Sequence, residues 1–357
     1  MFNLLSIAYL YFTFQNEYLM NQKVNIKTLA KELNLSTGTI SRVLNGKAKQ
    51  FRISAETVEI VEKYAKQKGY SPNLLAKGLQ ASKTFTIFLM IPDIANPFFA
   101  LMAKNIESAA SVANYSILLV DAEEDIEKEK REIKNMISRK VDGIIVAPVG
   151  TSFEHFEELN RQKIPLLFVD RYSNDYSIPY ITSDNYQGAF DATELFIKNG
   201  HNRIAVIKGN DQVEPVIERI KGYVAALNKS GISIDESLIL GNEFSIENGY
   251  KSTLKLLKFK NRPTAIFALS NLIGLGVLQA IKEMALKIPN DVSIIIFDDQ
   301  PYVSFLNPAI TTVKQNSERI GATAIDFILK KISKKDHNIT SLMIPTQLIV
   351  RESVIKM

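Results

Sequence analysis

The sequence predicts an α/β protein in two unequal parts: a small helical module in front of a large body of two lobes with parallel sheets. Three observations carry this. Residues 26–44 hold two short amphipathic helices separated by a polar turn. From residue 84 onward, short runs of β-branched and aliphatic residues alternate with helix-period segments. Charge, finally, is divided unequally between the two parts.

In the front module, Ile26, Leu29, Ala30 and Leu33 recur at i, i+3, i+4 and i+7, one apolar stripe on a short helix. Asn34-Leu35 interrupts the pattern, and the Ser36 oxygen can accept a backbone N–H bond from the helix that follows. A helix over 37–44 turns Ile40, Val43 and Leu44 inward and leaves Thr37, Gly38, Ser41 and Arg42 outward. Two short helices, the second with small polar residues and one Arg on its free face, match a helix-turn-helix. An ordinary helix pair in a small bundle would give the same pattern. A polar loop over 45–53 carries Lys47, Lys49 and Arg52, and Ser54 can cap a third helix with Val58, Val61 and Ala65 on one face, ended by Gly69. Ser71-Pro72 stops that helix. Residues 74–80, with Asn73 as a cap, have too few partners for a small domain and read as a linker.

Ahead of this module, residues 1–19 are apolar and aromatic and read as a doubtful extension, with Met20 as an alternative start. No Lys or Arg precedes Lys23, so the n-region of a secretory signal is missing. Ser6, Thr13, Gln15, Asn16 and Glu17 interrupt the stretch, which makes it short for a membrane span. A membrane anchor is the weaker alternative. The domain plan is therefore 1–19 extension, 20–70 headpiece, 71–83 hinge helix and linker, and 84–357 body.

The length of 357 residues allows about two or three domains, and 46% hydrophobic with 23% charged residues is a globular composition. With no cysteine, disulfides and thiolate metal sites are excluded, and His155, His201 and His337 have no ligand-like spacing. Neither a metal nor another cofactor is expected. Residues 20–83 hold 12 Lys and Arg against 4 Asp and Glu, whereas the body holds 31 basic and 33 acidic residues. A basic module before a near-neutral body points to a polyanion partner for the front alone.

The body reads TFTIFLMI, SILLV, GIIVAP, PLLFVD, RIAVI, TAIFAL and SIIIFDD as strands, with helices over 98–113, 124–140, 187–199, 216–230 and 272–285 between them. Near-continuous β-branched runs separated by helices indicate parallel sheets covered on both faces. So many residues exceed one open sheet, hence two lobes. Asp93, Asp121, Asp170, Asp184, Asp298 and Asp299 gather at strand ends, where open α/β sheets bind ligands. An enzyme is not expected. A dinucleotide fold needs G-x-G-x-x-G after its first strand, and the nearest run, Gly274 to Gln279, fails at the last glycine after a late strand. No phosphate-binding lysine loop or nucleophile elbow occurs. A free exported solute-binding protein would need a signal and no headpiece, the reverse of this chain.

Over residues 24–350 the chain resembles the lactose-repressor/galactose-repressor family of bacterial transcription factors. The front carries TLAKELNLSTGTISRVLNG and SAETVEIVEKYAKQKGYSPNLLAKGL; the body carries IPDIANPFFA, DGIIVAP, VDR, GHNRIAVIKG, ALSN, FDD, NPAITTVKQ and RES in that order. The resemblance implies a helix-turn-helix headpiece, a hinge helix, and a two-lobed periplasmic-binding-protein-like core that dimerises, with crossovers near 184, 315 and 345. It places Thr37, Gly38, Thr39, Ser41, Arg42, Asn45 and Lys47 at DNA, with Arg42 on a base edge and Gly38 contributing no side chain. The loop carrying Lys47, Lys49 and Arg52 looks longer than in the best-known members, room for added phosphate contacts. Leu79 matches the leucine that wedges into the minor groove; its alternative is a linker leucine covered by the core. Phe98, Asp170, Arg219, Phe244, Asn271 and Asp298 fall where members line the effector cleft, and Asn271 stands where many have Asp. Asp298 and Arg219 lead as ligand contacts; Asp170 or Asp298 could instead cap a turn, and Phe98 or Phe244 could be core. The implied protein is a cytoplasmic, nucleoid-associated homodimer, with no membrane association expected. It would be a repressor of carbohydrate-related genes, bound to double-stranded operator DNA and controlled by a sugar or sugar phosphate, with a purine as the alternative ligand.

Overall fold

The computed structural model describes residues 25–70, 83–150, 152–173, 176–333 and 341–357. The chain divides into two compact units, Met1–Ser82 and Lys83–Met357. The expectations for 1–19, the hinge over 74–80 and Leu79 lie outside the described residues.

Among the described residues of the first unit, α1 (Ile26–Glu32), α2 (Thr37–Leu44) and α3 (Ala55–Gln67) form a three-helix module. Each start is fixed by a side-chain cap: Asn25 accepts from the Lys27 and Thr28 amides, Ser36 from Thr39, and Ser54 from Thr57. A cap of this kind is worth about 1 kcal/mol. Leu29, Ala30, Ile40, Val43, Val61 and Ala65 meet in the centre. Fully burying a side chain such as Leu29 or Ile40 contributes roughly 1.5–3 kcal/mol, so the inward stripe, more than helix propensity, holds the module. The Tyr64 hydroxyl donates to Glu32 at 3.0 Å and Lys68 pairs with it at 3.4 Å, tying α3 to α1.

In the second unit each lobe is built on a six-stranded sheet. The first contains β1 (Thr86–Ile91), β2 (Ser116–Asp121), β3 (Gly143–Val146), β4 (Leu166–Val169) and β5 (Tyr180–Ser183), in the order β2-β1-β3-β4-β5, all parallel. Helices α4 (Pro97–Val112), α5 (Ile126–Arg139) and the short α6 (Glu157–Arg161) connect them. The chain then enters α7 (Asn185–Lys198), which packs on the second sheet. That sheet holds β6 (Ile204–Ile207), β7 (Ile239–Leu240), β8 (Ala265–Ala268), β9 (Ser293–Phe297) and β10 (Thr311–Lys314), ordered β7-β6-β8-β9-β10, with α8 (Glu214–Lys229), α9 (Ile246–Leu257) and α10 (Asn271–Glu283) between. Both lobes thus share one winding, the doubly wound order whose ligand crevice lies at the carboxyl ends of the strands.

Three passages of chain join the lobes. The first leads from β5 into α7 at Asp184, and the second from β10 into α11 (Ser317–Ile332), which packs on the first sheet. The third links β11 (Leu342–Ile344), parallel to β5, with β12 (Gln347–Ile349), antiparallel to β10. The central strands of both sheets are buried on both faces, as their β-branched runs require; every residue of β3, β4, β6, β8 and β9 is buried.

Helix boundaries differ from the periodicity where a cap decides them. The helix expected from 124 starts at Ile126 because Asp125 accepts from the Glu127 and Lys128 amides. The one expected from 187 starts at Asn185 because Asp184 caps it. Helix α9, absent from the helices read by periodicity, buries Gly249 and Thr253 beside Leu256 and Leu257; a Cβ on Gly249 would lie 2.2 Å from the Ile273 carbonyl, and one on Gly276 2.0 Å from that of Ile246. The two helices touch backbone to backbone only because both positions lack a side chain. Among the described residues no helix is long and apolar enough to cross a membrane.

Candidate effector cleft and nucleic-acid interface

The fourth strand of each lobe ends on an aspartate. Asp170 follows β4 and Asp298 follows β9, and both sit at positive φ, 62° and 81°. Side chains other than Gly rarely adopt that region, Asp more readily than most, and such strain gathers at functional sites. Both amides still bond the neighbouring strand, Asp170 to Ile181 and Asp298 to Val313, each at 2.9 Å. Two buried carboxylates are thereby presented at the crevice, one from each lobe.

Arg219 of α8 is buried against them. Its guanidinium lies 3.6 Å from the centre of the Phe297 ring, Nε donates to Asn185 Oδ1 at 2.8 Å, and Nη1 donates to the Leu269 carbonyl. Burial pulls the guanidinium down from its usual range, while Asp298 and Asp170 hold it up. Burial likewise pushes the Asp170 carboxyl up to about 6, against the attraction of Arg219 and Arg171. It also raises Asp298, offset by Arg219 and by hydrogen bonds from Gln315 and Asn271.

The two carboxylates have different partners. Asp298 accepts from Gln315 Nε2 at 2.6 Å on one oxygen and from the Asn271 amide, at the start of α10, at 3.2 Å on the other. Among the described residues, Asp170 Oδ1 is buried with no hydrogen-bond partner, as is Gln315 Oε1. Asn96, Phe98, Phe99, Asp170, Arg171, Arg219, Phe244, Asp298 and Gln315 line one cavity between the lobes. Asn271 stands behind it, donating across the lobes to Asn96 Oδ1 at 3.0 Å, the same oxygen that caps α4 at Phe98. The free space is about 30 Å³, on the order of one water molecule. A larger open groove of about 510 Å³ beside Asn242 and Lys255 lies away from these groups, and its Lys251 pairs with Glu247.

Of the residues read from the sequence, Phe98, Asp170, Arg219, Phe244 and Asp298 come together on the cavity wall and Asn271 buttresses it. Phe98 also belongs to the first lobe's core, and Phe244 is packed at the edge of the second's. Asn96, Arg171 and Gln315 were not anticipated. Arg171 is buried, forks onto Glu124 at 2.6 and 2.8 Å, and lies between the Phe99 and Phe244 rings at 5.4 and 5.5 Å. The VDR tripeptide holds it beside Asp170, but its partner lies 47 positions away.

On the headpiece, Thr37, Gly38, Arg42, Asn45 and Lys47 are exposed and Thr39 and Ser41 are half-buried. Thr39 shares a hydroxyl hydrogen bond with Ser36 at 2.9 Å, and Asn45 Nδ2 donates to the Ser41 carbonyl at 2.8 Å. The free face of α2 therefore offers small groups and one guanidinium, which lies 4.1 Å from the Phe51 ring centre.

Residues 25–73 match the family model described as bacterial regulatory proteins, lacI family, and residues 193–354 match that of the periplasmic binding protein-like domain. The chain is 33% identical over 332 residues to catabolite control protein A of Priestia megaterium, covering 92% of this chain and 99% of that one. It is 34% identical over 328 residues to the ribose operon repressor of Halalkalibacterium halodurans, covering 92% and 96%. A crystal structure of a LacI family transcriptional regulator from Enterococcus faecium with bound ribose superposes with a TM-score of 0.70 at 28% identity, over 76% of this chain and 99% of that one.

Proposed function

The chain belongs to the lacI family of bacterial regulatory proteins, transcriptional regulators rather than enzymes, and from that premise we propose that it represses carbohydrate-related genes under control of a neutral sugar bound between its lobes. The observation that carries the ligand class is a pair of buried acceptors, Asp170 Oδ1 and Gln315 Oε1, that have no partner among the described residues and share one cavity. A buried acceptor left unmade costs roughly 1–3 kcal/mol, and a polyol supplies hydroxyl donors to both. Phe98 and Phe244 offer aromatic surface to the C–H faces of a ring. The cations are already engaged: Arg171 forks onto Glu124, and Arg219 is held by Asn185, Leu269 and the two aspartates. That favours a neutral sugar over a sugar phosphate. Ribose in the Enterococcus faecium structure and in the Halalkalibacterium halodurans repressor's name agrees with this class.

A ligand pocket is typically about 300–1,000 Å³, so the lobes must part to admit a sugar and can close on it. An effector acts only by binding two lobe arrangements unequally. Two copies of the chain would present two α2 helices to a near-palindromic operator, with Arg42 bonding a guanine edge and Leu79 wedging the minor groove. Thermal-shift measurements on the full chain test the ligand class, because a ligand of the native state raises its apparent stability. Neutral pentoses, hexoses and disaccharides should include a stabiliser. Stabilisation by sugar phosphates or purines alone would overturn the neutral-polyol reading.

A further inference from the structure

The segment between α2 and α3 is longer than a tight turn needs, and it is folded rather than trailing. The Lys47 amide bonds the Arg42 carbonyl at 2.8 Å, Phe51 bonds Lys47 at 3.3 Å, and Ile53 bonds Ala48 at 3.0 Å. Arg52 turns the chain at φ 53°. Ala48 and Ile53, at the two ends of this turn, pack on the headpiece core. Phe51 at its tip does not: it is 44% exposed and belongs to neither the core nor its partly buried shell. What it touches is Arg42, whose guanidinium lies over its ring at 4.1 Å. Arg42 itself is exposed and, among the described residues, has no hydrogen-bond or ion-pair acceptor.

We propose that Phe51 is a positioning residue for operator reading, its ring holding the Arg42 guanidinium flat with the donor edge free for the paired acceptors of a guanine. The physical reason is the geometry of a stacked guanidinium. An aromatic face engages the planar cation through its π surface and leaves the in-plane N–H donors unspent, whereas a carboxylate partner would occupy those same donors. A free Arg side chain must surrender its rotamer freedom on meeting a base edge; one already laid on a ring surrenders less, which favours the correct base at no cost in donors. The proposal rests on the reading that Arg42 contacts a base and adds the residue that aims it.

The test uses the full chain and a palindromic duplex recovered by that chain from a randomised pool, with copies altered at one base pair at a time. R42A identifies the base pair whose preference depends on Arg42. F51A should then weaken binding to the parent duplex by about 2- to 5-fold per headpiece, as for an exposed cation–π contact, and lower discrimination at that same base pair. Binding to random duplex, and its salt dependence, should stay as in the parent. F51Y and F51W should retain discrimination, F51L should lose it despite similar bulk, and F51A should add nothing in an R42A background. F51L discriminating like the parent, or F51A costing as much without Arg42 as with it, would overturn the positioning role. R42A keeping full discrimination everywhere would instead remove the base-reading assignment beneath it, a separate outcome visible before any Phe51 variant is made. The Tyr and Leu variants keep a bulky apolar group at 51, so the comparison between them survives if F51A folds poorly.

Discussion

The two lobes wind their sheets in the same order and end their fourth strands on an aspartate at positive φ, yet the two carboxylates are in different circumstances. Asp298 has each oxygen bonded to a protein N–H, one from Gln315 and one from the start of α10. Asp170 is as buried but has an oxygen with no partner among the described residues, and its neighbour Arg171 is turned away onto Glu124. Equivalent positions in a repeated fold thus divide the labour: the second lobe's carboxylate fixes the wall, and the first lobe's keeps an acceptor unspent. Arg219 serves both by charge.

The sharpest way to break that comparison is to remove the shared cation. Arg219→Ala leaves two buried carboxylates uncompensated and should destabilise the fold by about 3–5 kcal/mol, the range for deleting one partner of a buried charge cluster; urea denaturation measures it. Next come the two isosteric amides. Asp170→Asn relieves a carboxylate whose ionisation burial opposes, and should stabilise the ligand-free protein at pH 7 by about 1–3 kcal/mol. Asp298→Asn faces two N–H donors with an amide that accepts at one atom only, so it should be neutral or destabilising. Equal shifts in the same direction would erase the distinction between the lobes.

Titration separates them further. The Asp170 carboxyl is raised to about 6, so the folded state holds its proton more tightly than the unfolded chain. Its contribution to stability is therefore complete below about pH 4, the unfolded value, and is lost as pH rises through 6. Asp170→Asn should flatten that part of the stability profile. Sugar hydroxyls donate to the ionised form, so effector binding should tighten as pH rises through 6, and proton release on binding should be seen by calorimetry in buffers of different ionisation enthalpy. The smallest effect concerns the bond between the lobes. Asn271→Ala deletes the donor to Asn96 and should weaken closure by about 0.5–1.5 kcal/mol, read as a modest loss of effector affinity.

Much of the fold was legible because burial on both faces leaves unmistakable strands: IFLMI, GIIV, LLFV, IAVI and SIIIF needed no partner to be recognised. The headpiece helices were legible for the same reason at period 3.6, with Ser36 and Ser54 as visible caps. Helix α9 was not, since two of the four residues on its buried face, Gly249 and Thr253, add nothing to an apolar stripe. At the cleft, the sequence marked the aspartates as strand-end carboxylates but weighted Asp298 and Arg219 above Asp170. That both oxygens of Asp298 are paired depends on Gln315, 17 positions beyond it, and on Asn271, 27 positions before it. Such long-range partners leave no local pattern. Phe51 lies unremarked in the loop read over 45–53 for the same reason, its contact with Arg42 existing only once the turn is folded.

One measurement bears most directly on the proposal that the cleft governs DNA occupancy through Asp170. Fluorescence anisotropy can follow release or capture of the selected duplex while the stabilising neutral sugar is titrated into the parent, Asp170→Asn and Asp298→Asn proteins. Sensing through Asp170 requires that the sugar alter occupancy of the parent, and that Asp170→Asn move the midpoint to roughly 10- to 150-fold higher sugar, the equivalent of a hydrogen bond to a charged group. Asp298→Asn should move it less. Coincident curves for the parent and Asp170→Asn would contradict the assignment and leave Asp170 a strained strand end with no part in the signal.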